Sequence, residues 1–268
     1  MVTSELAGVT PVVLTLNEEA NLPRILESLR SFDRVVVVDS GSTDRTAEIA
    51  RSHPNVAWFE HPFEGHVSQW RWALLETEIG TPFVLALDAD MAATPELLEE
   101  VGLVAAGAGA DGGLIPFEYR IRGIPLAGSI YPAQLRLLRL ARARVEDAGH
   151  TQEFAVHGRA VRFTSYLVHD DRKPLESFVK AQLRYSALEL PRLGSGPGRG
   201  RLRTRLRRSF PGTPFLVWAV AWLRAGGPFR GAAARRYALE RLLYEALLRW
   251  RVEDQLLTQG RSEGKERR

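Results

Sequence analysis

Two aspartates one residue apart, Asp88 and Asp90, close the apolar run Phe83-Val-Leu-Ala-Leu87. Carboxylates at that spacing can grip a hard divalent cation, Mg2+ or Mn2+, that also binds a diphosphate. A second apolar run, Val35 to Val38, ends at Asp39 and passes into Ser40-Gly-Ser42-Thr-Asp44. A carboxylate at a strand end, followed by a tight turn of small residues, can meet a nucleotide's ribose or base without steric conflict. A third run, Val9 to Leu16, leads into Asn17-Glu18-Glu19. Any one of these patterns is common by chance. Their shared position, each beyond the end of a strand-like run, gives them weight.

The elements that must carry these clusters alternate along the first half of the chain. Strands are expected at 9–16, 34–38, 55–59 and 83–87. Helices are expected at Leu22–Leu29, with Pro23 harmless in its first turn, at Thr46–Arg51, at Val67–Thr77 and from Pro95 to about Ala106. Uninterrupted apolar strands joined by helices predict an α/β fold with a mainly parallel sheet covered on both faces. Ligands bind beyond the carboxyl ends of such strands, where Asn17-Glu18, Asp39 and Asp88/Asp90 all fall. Residues 112–169 read as shorter strands at 114–122, 135–139, 153–156 and 161–168, followed by a helix at Leu175–Leu190. Gly107-Ala-Gly109-Ala-Asp-Gly112 matches a dinucleotide-binding pattern but follows a helix and precedes a strand, the reverse of what binding requires, so it reads as a loop.

The chain has 268 residues and no cysteine, which excludes a disulfide scaffold, cysteine-ligated metal and thiol catalysis. The first residues show no basic and apolar signal pattern. No run approaches the roughly 20 apolar residues of a membrane span, so a cytoplasmic location is expected. The net charge of +4 is unevenly distributed: from Arg192 onward 18 Lys/Arg face 6 Asp/Glu, against 18 and 26 before it. A basic tail on an acidic body predicts an anionic partner. Pro191 to Gly200 reads as a linker, and a basic run, Arg201, Arg203, Arg205, Arg207 and Arg208, follows it. Then come the apolar patch Phe215–Leu223, a Gly226-Gly-Pro228 break and an amphipathic helix at about Ala232–Leu257. Trp218 and Trp222, four apart, together with the arginines read as an interfacial membrane anchor. Nucleic acid is not expected, since no recognised module accompanies the arginines.

Thr15-Leu-Asn17-Glu-Glu19, then Val38-Asp39-Ser-Gly-Ser-Thr-Asp44-Arg-Thr46, then Leu87-Asp88-Ala-Asp90, in this order and spacing, resemble family 2 glycosyltransferases of the GT-A fold. Phe63 to Leu74, Phe178 to Tyr185 and Gly226 to Gly231 further resemble the lipopolysaccharide-core glucosyltransferase subgroup. The likeness covers most of residues 9–240 and is strongest up to about residue 91. Arg71 stands where the subgroup usually has Asn, and Met91 where it has an acidic residue. Its adjacent acceptor-side His-Glu pair falls here on Thr151-Gln152, flanked by His150 and Glu153.

The resemblance implies an inverting, metal-dependent glycosyltransferase. A GT-A catalytic domain would span residues 1–190, with a nucleotide half at about 9–91 and an acceptor half at about 112–190. A basic, membrane-proximal tail would span 191–268. Asp88 and Asp90 would bind Mg2+ or Mn2+, and Thr15, Asn17, Glu18, Asp39, Ser42, Asp88, Ala89 and Asp90 would bind the nucleotide sugar. A UDP-sugar is the favoured donor, and the acceptor would be a lipid-linked or cell-envelope saccharide. The base that deprotonates the acceptor hydroxyl is sought among Glu153, Asp147, Glu146 and His150, and His169 falls near the subgroup's acceptor pocket. The protein would lie in the cytoplasm, peripheral on the inner face of the membrane. A sugar nucleotidyltransferase or an inactive sugar-nucleotide-binding scaffold remain as alternatives.

Overall fold

Every residue of β2 (Val35–Asp39) is buried, and in β1 (Val9–Thr15) only Leu14 is partly exposed. Continuous burial along a strand requires cover on both faces, and the computed structural model shows two apolar layers doing so. Val9, Val13, Val35, Val37, Leu85 and Leu87 point into one core, with α1 (Leu22–Ser28) and α4 (Pro95–Ala106). Val12, Val36, Val38, Val84 and Ala86 point into the other, with Trp70 and Ala73 of α3 (His66–Glu76). Each fully buried Val or Leu contributes roughly 1.5–3 kcal/mol.

The structure describes residues 6–107, 109–147, 152–193 and 201–266. They form two compact units: one from the chain up to Pro125 with Tyr131–Lys173, the other from Leu126–Ile130 with the chain from Pro174. In the first, β3 (Val56–Glu60), β2, β1 and β4 (Phe83–Asp88) are parallel neighbours, and α2 (Thr46–Arg51) joins β2 to β3. The sheet continues through β9 (Gln134–Arg139), antiparallel to β4, and β6 (Gly112–Ile115) to β12 (Ala160–Arg162). This is the expected α/β class, a mainly parallel sheet flanked by helices.

The second half of this unit is more divided than its sequence suggests. The strand expected at 114–122 breaks at Pro116, which has no N–H for the ladder. β6 stays in the main sheet, while β7 (Phe117–Ile121) joins a second sheet with β8 (Ile124–Pro125). The run 161–168 likewise splits into β12 and β13 (Leu167–His169). β13 lies between β7 and β5 (Met91–Ala93), a short strand that begins just after Asp90. β10 (Ala143–Asp147) and β11 (Gln152–Val156) form a separate antiparallel hairpin.

The second unit is helical: α5 (Leu175–Glu189), α6 (Arg201–Ser209), α7 (Thr213–Arg224) and the long α8 (Gly231–Glu266). α8 packs on both α5 and α7, around Leu193, Tyr244, Leu248 and Val252. Packing on α8 places α5 with the tail, so the unit boundary falls at Lys173/Pro174, ahead of the residue-190 division expected from linker composition. The basic run is not uniformly outward. Arg207 has a side chain only 6% exposed and pairs with Glu245 and Glu189, whereas Arg205 and Arg208 are exposed; the side chains of Arg201 and Arg203 lie outside the described residues. Trp218 and Trp222 are half-buried and stacked on each other at 5.9 Å. The open face of α7 carries Phe215, Leu216, Val220 and Leu223 instead. Among the described residues no helix is long and apolar enough to cross a membrane.

Candidate functional site

Parallel register sets the site. Thr15 lies opposite Asp39 and Leu14 opposite Asp88, so β1, β2 and β4 end level with one another. The loops that leave them are cross-linked. Asp39 is buried, and its carboxylate is met by four donors: the Thr15 and Ser42 hydroxyls donate to Oδ1, and the Gly41 and Ser42 N–H groups to Oδ2. Gly41 takes a positive φ of 90°, which the turn requires. Asn17, also left-handed at φ 53°, donates its N–H to Ser42 Oγ at 2.8 Å and accepts from the Thr43 N–H at 2.9 Å. Glu18 N–H donates to the Thr46 hydroxyl, and Glu19 N–H to Asp44. Five of these contacts join one loop to the other, from Thr15, Asn17, Glu18 and Glu19 to the 39–46 turn, and they preorganise the backbone the loops present.

The helix α3 supports this turn from the side. Gln69, 1% exposed, donates to Ser40 Oγ and to the His61 carbonyl, and its Oε1 lies 2.8 Å from His61 Nδ1. Its neighbour Arg71 donates to the Val145 carbonyl in β10 at 3.0 Å.

Around Asp88-Ala89-Asp90 the charges are dense. Asp88 is partly exposed, and its Oδ2 accepts from Arg136 Nη2 at 3.0 Å. Arg136 is buried, oriented by Gln134 and stacked over Phe117. Asp90 is different. His169 Nε2 stands 3.4 Å from its Oδ2, while its Oδ1 is buried and accepts no hydrogen bond among the described residues. Burial raises the Asp90 carboxyl, opposed by His169 and reinforced by Asp171 and Asp88. A buried, unsatisfied carboxylate oxygen beside a second carboxylate suits a bound cation. Among the described residues, no group of three His, Cys, Asp or Glu donors stands in ligating geometry.

His169 reaches Asp90 because β13 pairs with β5, with His169 opposite Met91. Its ring stacks on Tyr119 at 4.5 Å. The segment after it packs behind the site. Asp171 accepts from Asn21, Arg172 N–H donates to Asn21 Oδ1, and Lys173 Nζ lies 2.6 Å from Glu18 Oε1. Burial pushes the Glu18 carboxyl up to about 7 against the pull of Lys173, with Asp90 adding to the rise. Lys173 is held above its ordinary value: burial works the other way, but Glu18 and Asp171 outweigh it. The Lys173 ammonium is thus held by the charges of several carboxylates, Asp171 and Asp90 as well as Glu18.

The structure therefore brings together Thr15, Asn17, Glu18, Asp39, Ser42, Asp88, Ala89 and Asp90. The candidate bases lie apart from them in sequence, on the β10–β11 hairpin. Val145 and Phe154 are paired and buried against Trp70. Alternation puts Asp147, opposite Gln152, on that same face, and Glu146 and Glu153, opposite each other, on the outer one. All three carboxylates are exposed, and His150 lies outside the described residues. Sequence reading missed Arg136, Arg24, Asn21 and Lys173. Their functional signal is tertiary, since none belongs to a local motif.

The family model for glycosyl transferase family 2 matches residues 11–162, the span that holds every strand described above except β13 and the first residues of β1. The chain belongs to glycosyl transferase family 2. It is 37% identical over 82 residues to the lipopolysaccharide core biosynthesis glycosyltransferase LpsC of Rhizobium meliloti, covering 29% of this chain and 30% of that one. An uncharacterized glycosyltransferase of Rickettsia bellii is 34% identical over 104 residues, covering 38% of this chain and 34% of its own. The chain thus spans about a third of the length of the curated relatives it matches. Among solved structures, S. aureus TarS 1–349 in complex with UDP-GlcNAc aligns over 90% of both chains, at 16% identity and a TM-score of 0.48. Glucosyl-3-phosphoglycerate synthase from Mycobacterium tuberculosis, in complex with Mn2+, UDP and phosphoglyceric acid, aligns over 74% of this chain and 83% of its own, at 18% identity and a TM-score of 0.47.

Proposed function

We propose that this family 2 glycosyltransferase moves a sugar, with inversion, from a nucleotide-diphosphate sugar to a lipid-linked or cell-envelope saccharide. The observation that carries this reading is the level ending of β1, β2 and β4, which gathers the Asp39 turn and Asp88/Asp90 beyond one sheet edge. Thr15, Asn17, Glu18, Asp39 and Ser42 form the wall for the nucleoside, UDP being the favoured one. Asp88, Ala89 and Asp90 face the diphosphate. Asp90, with its unsatisfied Oδ1, and Asp88 would hold Mg2+ or Mn2+, which supplies positive charge against the departing nucleoside diphosphate. The relative LpsC, named for lipopolysaccharide core biosynthesis, supports an envelope saccharide as acceptor.

A carboxylate on the β10–β11 hairpin accepts the proton of the attacking hydroxyl. Asp147 takes first place over Glu153, because it shares the face of Val145 and Phe154 while Glu153 points outward. The acceptor is met at an anionic membrane surface on its cytoplasmic side. The apolar outer face of α7, with Arg205 and Arg208 exposed on α6, supports that placement. The reading is tested by assaying nucleoside diphosphate release from a panel of sugar nucleotides in Mn2+, with and without chelator. Release from a UDP-sugar that stops on chelation is expected. Formation of sugar nucleotide and pyrophosphate from a sugar phosphate and UTP would favour a nucleotidyltransferase, and no turnover of any kind a scaffold.

A further inference from the structure

Two backbone carbonyls from distant parts of the chain converge on one nitrogen of Arg24. Its Nη2 donates to the Asp90 carbonyl at 2.9 Å and to the Asp170 carbonyl at 2.7 Å. The same Asp90 oxygen also accepts the Asp170 N–H at 3.0 Å. Arg24 stands in the first turn of α1 and reaches beneath both segments with a side chain 22% exposed.

The rest of the guanidinium is poorly provided for. Nε and Nη1 are buried and donate no hydrogen bond among the described residues, and Nη1 stands 3.7 Å from Asp170 Oδ2. A buried guanidinium that leaves donors unused is costly, since a buried polar group without a partner loses its hydration uncompensated. The guanidinium's hydrogen bonds thus go to the two carbonyls, with Asp170 Oδ2 as the nearby opposite charge. What they fix is specific. Asp90 and His169 belong to segments joined by the short β5–β13 pairing and by the Asp170 N–H on the Asp90 carbonyl, and Asp170 directly follows His169.

We infer that Arg24 is a positioning residue: it holds the Asp90 backbone against the His169–Asp170 backbone, and so fixes the Asp90 carboxylate and the His169 imidazole relative to each other. The inference rests on the reading of Asp90 as a cation-binding carboxylate in the donor site. Among the described residues the Arg24 side chain donates no hydrogen bond to the carboxylate of Asp90 or to the nucleoside wall, whose loops are joined by their own contacts through Asn17, Ser42 and Thr46. Its loss should therefore separate two properties that a general loss of structure would impair together.

The test uses the full chain with Arg24→Gln and Arg24→Lys. Mn2+ affinity is measured without donor by water-proton relaxation, uridine affinity by calorimetry, and kcat with the best donor. Removing a residue that orients a ligand from behind typically costs about 10–100-fold in metal affinity or activity, and Arg24→Gln is expected to show this in both Mn2+ affinity and kcat with uridine affinity unchanged. Arg24→Lys, which keeps one donating nitrogen, should recover part of the loss. Wild-type Mn2+ affinity and kcat in Arg24→Gln would overturn the inference, as would parallel losses of Mn2+ and uridine affinity. Should Arg24→Gln fail to fold, Arg24→Lys decides by the same comparison. Absence of Mn2+ binding by the wild type would overturn the metal reading itself, leaving kcat against uridine affinity to decide for Arg24.

Discussion

Asp90→Asn is expected to stabilise the fold and abolish turnover at once. The folded protein carries an Asp90 oxygen that is buried and accepts no hydrogen bond, and burial raises this carboxyl above its ordinary value. Leaving a buried acceptor unsatisfied costs roughly 1–3 kcal/mol and more when it is charged; an amide of the same shape keeps a polar atom there but removes that excess. The sign with pH follows from the raised value. Below the unfolded carboxyl's range Asp90 is protonated in both states, and its favourable protonated contribution is fully present. That contribution is lost as pH rises through the folded value, so the advantage of Asn should be small near pH 4 and grow as pH rises. At about 2–4 °C per kcal/mol for a unit of this size, the melting temperature in chelator should rise by several degrees. The same change removes negative charge from the proposed cation site, and kcat in Mn2+ should fall by at least about 10²-fold. Circular dichroism melts at pH 4 and pH 7.5, paired with diphosphate release, provide the assay. A variant less stable than wild type at pH 7.5 in chelator, or one with undiminished kcat, would refute the reasoning.

Four further outcomes are expected. Burial holds Glu18 protonated up to about pH 7, so its stabilising contribution is lost as pH rises from about 5 through 7; Glu18→Gln should flatten the melting-temperature profile across that window. Asp147→Asn should lower kcat by about 10²-fold or more while leaving UDP affinity intact, and Glu153→Gln should do less; the reverse order would assign the base to Glu153. Arg207→Gln leaves Glu245 buried without its partner, and a broken buried pair costs about 3–5 kcal/mol, so urea unfolding followed in the helical unit should shift to lower midpoint. Phe215→Ser with Leu223→Ser should reduce sedimentation with vesicles of phosphatidylglycerol and phosphatidylcholine while kcat on a soluble acceptor mimic is retained; unchanged sedimentation would contradict the membrane surface.

The nucleotide half of the fold was legible because its signals are local. β2 and β4 are continuous apolar runs that stop at Asp39 and Asp88, and α4 begins where Thr94 caps it and Pro95 opens its first turn. The acceptor half was less legible. Whether Gly112–Ile121 is one strand or two depends on Pro116 and on which sheet each piece joins, and β5 is three residues long. The tail misled for a different reason. Arg201–Arg208 reads as one basic face, but helical periodicity turns Arg207 inward toward Glu245 and Glu189. The spacing of Trp218 and Trp222 reads as an interfacial anchor, yet both are half-buried and the helix exposes Phe215 and Leu223 instead. Within the site, Asp88 and Asp90 could be found by spacing. Arg136, Arg24 and Lys173 could not, because each acts through a contact between segments far apart in sequence.

The central claim is that the carboxylates beyond β4 hold the donor's diphosphate through a divalent cation. Calorimetric titration of UDP into the full chain, in Mn2+ and again in excess chelator, tests it most directly, with Asp90→Asn alongside. The account predicts that UDP binds the wild type in Mn2+, and that affinity falls by at least about tenfold both in chelator and in the variant. Equal UDP affinity with and without the metal, or an Asp90→Asn variant that binds UDP in Mn2+ as tightly as the wild type, would contradict it.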